Sequence, residues 1–198
     1  MDEKLIASAI AYIGNLFGDN SDGHGADHSV RVYENAMRIA DEEPGCSREV
    51  VALAALLHDA DDHKLFQTEN NENARAFLGE MRIGREETDR ILEAVNAVSF
   101  SRNRGKRPET PEGRIVQDAD RLDALGAVGI ARTYAYGGKH GRSLADSTRH
   151  FSEKLLLLRD EMNTESARKT AQARHDFLLL FLEELMREFG PEAGPDAP

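Results

Sequence analysis

The chain has 198 residues, 40 % of them hydrophobic, enough for one buried core and too apolar to be disordered throughout. Its formal charge of -11 at pH 7 disfavours broad contact with nucleic-acid phosphates, because such binders present a positive field. A single cysteine, Cys46, permits no internal disulfide, and the opening "MDEKLIASAIAYIG" carries early acids rather than a basic and then apolar leader, so a reduced, cytoplasmic setting is expected. The longest apolar candidate, "FLLLFLEELM", is interrupted by Glu183 and Glu184 and falls short of the roughly 20 residues a membrane-spanning helix needs.

Apolar residues recur at helical spacing from the start. Leu5, Ile6, Ala9, Ile13 and Leu16 form one amphipathic stripe, and Val30, Tyr33, Met37 and Ala40 a second. "REVVALAALLHD" is too long and too rich in alanine and leucine for a strand, and "EETDRILEAVNAVSF" repeats the helical pattern with Ile91, Leu92, Val95 and Val98. "ETPEGRIVQDADRLDALGAVGIARTYAYGG" opens with Thr110 as N-cap, Pro111 at the first helical position and Glu112 in the first turn. Two further helices are expected over 147–162 and 165–189. No stretch alternates long enough for a sheet, so the expectation is all-α: one helical domain over 1–189 and a flexible tail, "GPEAGPDAP", over 190–198. Two glycine-containing basic loops, 101–111 and 137–146, interrupt the helices as solvated connectors or as covers over an anionic ligand.

The chemistry concentrates where "ALLHDADDHKLF" drives an apolar run into a crowd of ionisable groups. Burying His58, Asp59, Asp61, Asp62 and His63 beside Leu56 and Leu57 is costly unless something offsets desolvation and like-charge repulsion. A cation would do so. "GHGADHSVRV" supplies His24 and His28, and "VQDADRLDA" supplies Asp118 and Asp120. Singly, each reads as a structural histidine or a solvated helix end. Together, imidazoles and carboxylates from separate helices can converge on a divalent ion inside a helical bundle.

One histidine, then an adjacent His-Asp pair, then a distant Asp followed by Arg-Leu resembles the HD-domain metal-dependent phosphohydrolase superfamily. "HDADDHK", "VQDADRLDALGAVGIART", "YAYGG" and "MNTESARK" resemble one subgroup of small bacterial HD hydrolases, over roughly residues 20 to 187. A departure is Gly25-Ala26, where many HD proteins have an Asp and a bulky residue. The resemblance implies an HD-domain helical bundle with the metal site between helices, and His28, His58, Asp59 and Asp120 as metal ligands. Two nitrogens and two carboxylates suit manganese, magnesium, iron, nickel or zinc, and manganese is the ion the resemblance favours. The ion then activates water for attack on phosphorus. This suits a chain with no glycine-rich phosphate loop ending in Gly-Lys-Ser/Thr, and Cys46, in the polar turn "EEPGCSRE", is a bystander.

Further roles follow from position. Asp59 and Asp62 are the candidate catalytic carboxylates: if the helix continues, Asp62 points to the same side as His58 and Asp59 and can orient water or shuttle a proton, the alternative being helix-end solvation. Lys64 and Arg31 are candidates for phosphate oxygens, although Arg31 equally suits a salt bridge with Glu34 or Asp27. His24 and His63 are either phosphate or leaving-group contacts or exposed loop histidines. Asp123 either supports Asp120 or pairs with Arg121 or another cation, and Asp61 and Asp118 buttress neighbours or face water. Arg102, Arg104, Lys106 and Arg107 in one loop, and Lys139, His140 and Arg142 in the other, can hold phosphates or keep loops solvated. Phe100, Tyr134 and Tyr136 stack on a base or pack in the core.

The function this implies is hydrolysis of a nucleoside or deoxynucleoside triphosphate to monophosphate and pyrophosphate, the substrate class coming from the resemblance alone. The alternatives are a nucleotide phosphomonoesterase and, in another class, a metal-binding module that senses a nucleotide without turnover. A homodimer is the assembly that relatives suggest. No nucleic-acid or membrane partner is expected.

Overall fold

The computed structural model describes residues 2–18, 25–63, 65–99, 103 and 105–189. Among these there is no strand, and the chain is all-α: α1 Glu3–Phe17, α2 Ala26–Glu42, α3 Arg48–Leu57, α4 Glu72–Glu80, α5 Arg85–Asn96, α6 Pro111–Asp123, α7 Gly126–Lys139, α8 Leu144–Glu153 and α9 Glu165–Phe189, with a 3₁₀ segment over Leu155–Glu161. The chain divides into two compact units, the boundary falling inside α6 between Asp120 and Arg121. The expected tail, 190–198, lies outside the described residues.

The first unit is organised around α3. Every residue from Val50 to Leu57 is buried, the pattern of a helix packed on all sides, and α3 meets α1, α2 and α5. Leu53, Leu56 and Leu57 have no exposed surface, and burial of each such side chain contributes about 1.5–3 kcal/mol. Ser47 starts the helix, its hydroxyl accepting the Val50 N–H while its own N–H donates to Glu112 at 2.9 Å. Glu112 also takes a bond from Arg90 at 2.7 Å, tying α6 to α5 and to the start of α3. The expected cap of α6 is present, Thr110 Oγ1 accepting from Gly113 N–H at 3.2 Å with Pro111 first in the helix.

In the second unit α9 packs on α7 and on the 3₁₀ segment, and α8 packs on both of these. The buried stripe of α9, Ala167, Ala171, His175, Leu178 and Leu182, keeps the spacing of three and four.

Three sequence expectations are corrected. The helix proposed over 147–162 stops at Glu153, where Lys154 adopts φ -139°, and the leucine run that follows winds as 3₁₀. The long helix from Thr110 is two helices, α6 and α7, separated at Ala124-Leu125 with Gly126 at φ 72°. Part of the expected 137–146 loop is helical, since α7 runs to Lys139.

Candidate metal centre

The residues that crowd the end of α3 do so because the helix stops. Its last helical residue is Leu57, and His58 to His63 form a tight turn held by Ala60 N–H to the Leu57 carbonyl at 3.0 Å and Asp62 N–H to the Asp59 carbonyl at 3.1 Å. The helical continuation used to place Asp62 is therefore absent, and the turn sets its direction.

Four side chains of the first unit converge here. His58 Nδ1–H donates to the Ala55 carbonyl at 2.8 Å, which leaves Nε2 to face the cluster. That nitrogen lies 3.3 Å from His28 Nε2, 3.4 Å from Asp59 Oδ1 and 3.8 Å from Asp120 Oδ1. His28 Nε2, carried by α2, lies 3.3 Å from Asp120 Oδ1 and 3.6 Å from Asp59 Oδ2. Both histidine side chains are only 2 % exposed, so their ring nitrogens face this cluster rather than bulk water.

The donor set fits a divalent ion. Ligand atoms about 2.1 Å from a common ion stand about 3.0 Å apart at right angles and about 3.4 Å apart at the tetrahedral angle. The separations among His28 Nε2, His58 Nε2 and Asp120 Oδ1, 3.3 to 3.8 Å, are a slightly expanded version of that shell. His28, His58 and Asp120 each offer one atom within 4.8 Å of the others, and Asp59 presents one oxygen to each imidazole. Burial pushes the Asp120 carboxyl up, but the hydrogen bond from His28 and the charges of His58 and His28 outweigh it and hold the group below the ordinary carboxylate range, against opposition from Asp59.

A cavity of about 100 Å³ opens beside the cluster. Because a water needs only about 10–15 Å³ of such volume, the cavity holds several small polar groups. His58, Asp59 and Asp120 line one part, and Asp61, Asp62 and His63 the turn side. Asn71, Asn96 and Ser99 add uncharged polar groups that the sequence reading missed, because they lie far from any motif. His63 Nδ1 stands 3.4 Å from Asp62 Oδ1.

Other candidates have different surroundings. Arg31 is bound by Asp27 at 2.6 Å, one of the two salt bridges anticipated for it. Asp123 is buried and pairs with Arg132 at 2.6 Å in the second unit. Asp118 is fully buried rather than facing water. Lys139, His140 and Arg142 belong to the second unit, where His140 stacks on Tyr136 with centroids 3.9 Å apart and the Arg142 guanidinium lies 5.2 Å from the same ring. Tyr134 is half-buried and packs against Phe151 and Phe181. Lys106 and Arg107 are exposed, while His24, Lys64, Phe100, Arg102 and Arg104 lie outside the described residues.

The all-helical fold and the ligand cluster define a class, and the HD domain family model matches residues 25–125; the chain belongs to the HD domain family. It is 39 % identical over 186 residues to the protein YpgQ of Bacillus subtilis (strain 168), covering 89 % of this chain and 90 % of that protein. The crystal structure of Bacillus subtilis YpgQ in complex with ADP superposes with a TM-score of 0.82 at 34 % identity, over 94 % of this chain and 98 % of that one. An HD-superfamily hydrolase from Bacillus thuringiensis gives a TM-score of 0.78 at 36 % identity, over 96 % and 98 % of the two chains. Among the described residues, no helix is long and apolar enough to cross a membrane.

Proposed function

We propose that this protein is a metal-dependent phosphohydrolase that cleaves nucleoside or deoxynucleoside triphosphates to monophosphate and pyrophosphate. The observation that carries the reading is the convergence of His28, His58 and Asp120, each offering one atom within 4.8 Å of the others, with Asp59 reaching both imidazoles, beside a cavity lined by the same turn. YpgQ, the relative whose crystal structure contains ADP, supports a nucleotide ligand, and the Bacillus thuringiensis hydrolase supports turnover.

These four side chains would hold the ion, with manganese favoured. When bound, a divalent ion supplies Lewis acidity toward a phosphoryl oxygen and lowers the pKa of water. The chain supplies the rest. Asp62 accepts the proton of the attacking water as the new bond to phosphorus forms and the α–β bridging bond breaks, releasing pyrophosphate. His63, 3.4 Å from Asp62, orients that carboxylate and relays the proton to solvent, being the more exposed partner at 60 % against 15 %. Asn71, Asn96 and Ser99 are assigned to neutral polar contacts in the cavity.

The test is incubation of pure protein with manganese and a panel of nucleoside mono-, di- and triphosphates, resolving orthophosphate from pyrophosphate. Pyrophosphate from triphosphates supports the proposal. Orthophosphate from monophosphates would make it a phosphomonoesterase, and no turnover with any metal would make it a nucleotide-sensing module.

A further inference from the structure

The turn that carries the site is gripped from outside by a helix that contributes no ligand. Helix α4 begins after two residues in left-handed conformation, Asn70 at φ 53° and Asn71 at φ 58°, and Asn71 makes no side-chain cap. The N–H groups of a helix's first turn need acceptors. Here Asp61 supplies them from a distance, its Oδ1 accepting from Asn73 N–H at 2.9 Å and its Oδ2 from Ala74 N–H at 3.0 Å. Asn73 returns the grip, since its side-chain Nδ2 donates to the Ala60 carbonyl at 2.8 Å. Asn73 is itself held, its carbonyl accepting the Tyr12 hydroxyl of α1 at 2.8 Å, and Tyr12 packs on Phe77 of α4 with ring centroids 5.0 Å apart.

The gripped residues, Ala60 and Asp61, lie between Asp59 and Asp62 in sequence. Fixing both the carbonyl of Ala60 and the carboxylate of Asp61 therefore fixes the backbone on which Asp59 and Asp62 stand. Within the turn, the backbone bonds at Ala60 and Asp62 close single turns. We propose that Asp61 and Asn73 are positioning residues: through α4 they hold the 58–62 turn so that Asp59 meets the two imidazoles and Asp62 faces the cavity. The inference deepens the phosphohydrolase reading and rests on it for its effect on turnover, while its effect on metal affinity stands independently.

The competing view is that Asp61 merely caps α4. Asp2 provides the control, because it too accepts a first-turn N–H, that of Lys4 at 2.9 Å, but at the start of α1, a helix that carries none of the candidate ligands. Asp61→Ala, Asp61→Asn, Asn73→Ala and Asp2→Ala are compared for thermal midpoint, for Mn²⁺ dissociation constant by calorimetry, and for kcat and KM well below the midpoint. Removal of groups that orient metal ligands costs about 10- to 100-fold in affinity or activity. Asp61→Ala and Asn73→Ala are expected to lose about that much in kcat and to bind Mn²⁺ at least threefold more weakly, with KM changed less than kcat. Asp61→Asn, which keeps one acceptor oxygen, recovers part of both losses. Asp2→Ala lowers the midpoint only. Unchanged Mn²⁺ affinity and kcat in Asp61→Ala and Asn73→Ala, with a midpoint lowered as in Asp2→Ala, overturn the proposal. Should Asp61→Ala not fold, Asn73→Ala, which deletes only the bond to Ala60, decides the matter by the same readouts. If the unsubstituted protein turns over no nucleotide, the hydrolase reading falls and Mn²⁺ affinity alone judges the clamp.

Discussion

Removing His58 should take away most of the stabilisation that a divalent ion gives this protein, by an amount that can be worked out beforehand. A ligand that binds only the folded state stabilises it by RT ln(1 + [L]/Kd), about 2.7 kcal/mol at a hundred times Kd. For a chain of this size, about 2–4 °C of midpoint accompanies each kcal/mol, so Mn²⁺ should raise the midpoint by about 5–10 °C. His58 Nε2 is within 3.8 Å of every other donor in the cluster, so its loss opens the centre of the site rather than an edge. Loss of a supporting partner already weakens a metal site about 10- to 100-fold, and loss of a ligand should do no less. A hundredfold loss in His58→Ala leaves about 0.4 kcal/mol at the same Mn²⁺ concentration, a shift of about 1–2 °C. The assay is scanning calorimetry or circular dichroism after chelation and Mn²⁺ titration, since the chain has no tryptophan for fluorescence. Cys46→Ser serves as control and should keep the full shift. Retention of the full shift, together with full Mn²⁺ occupancy, in His58→Ala would refute the assignment of that imidazole.

Further outcomes are specific to single groups. Asp62→Asn should retain Mn²⁺ at the stoichiometry of the unsubstituted protein but lose about 10²- to 10⁴-fold in kcat, as expected of a positioned proton acceptor; unchanged kcat would remove that role. Two glycines of α7 should respond with opposite sign: a Cβ on Gly129 would lie 2.1 Å from the Ala124 carbonyl oxygen, whereas one on Gly138 meets nothing within 4 Å. Chemical denaturation should therefore show Gly129→Ala destabilised and Gly138→Ala stabilised by about 0.5–1 kcal/mol. His150 is held below the usual imidazole pKa by burial and then by Lys154 and Arg142, and His175 by burial and then by Arg159. Both resist protonation in the folded state, so stability is complete above the unfolded value of about 6.5 and is lost as pH falls below it. Urea midpoints between pH 8 and 5 should show this slope, and it should flatten in a variant with both residues changed to Gln.

Legibility in the sequence depended on the range of the interactions. Helix identity came from local periodicity, as in the Ala167, Ala171, His175, Leu178 and Leu182 stripe, and Thr110-Pro111 marked a helix start because capping is a contact within one turn. Helix ends were less legible. The ionisable run at His58-Asp59 marked the end of α3, but the course of the turn beyond it, on which the position of Asp62 depends, was not legible because its bond to Asn73 lies far along the chain. The Leu155–Leu158 run has no period to separate α from 3₁₀ winding. Of the site, the residue types signalled a cation and the family pattern singled out His28, His58, Asp59 and Asp120. Asn71, Asn96 and Ser99 left no mark, because neutral polar residues near helix ends ordinarily serve as caps and turns.

The acidity of the chain and the chemistry proposed for it are reconciled at the cavity. Asp59, Asp61, Asp62 and Asp120 all line it. A phosphoryl oxygen about 4 Å from one carboxylate is repelled by about 4 kcal/mol at the effective dielectric of a protein surface, and several carboxylates multiply that cost. Asp61 is partly withdrawn, because both its oxygens are occupied by N–H groups of α4. Asp59 and Asp120 face the imidazoles and would be withdrawn by an ion. What then remains facing an anionic substrate is Asp62, the group assigned to take a proton from water. Under the proposed function, the same arrangement would leave one carboxylate in the position where negative charge is useful and would couple substrate entry to binding of the metal.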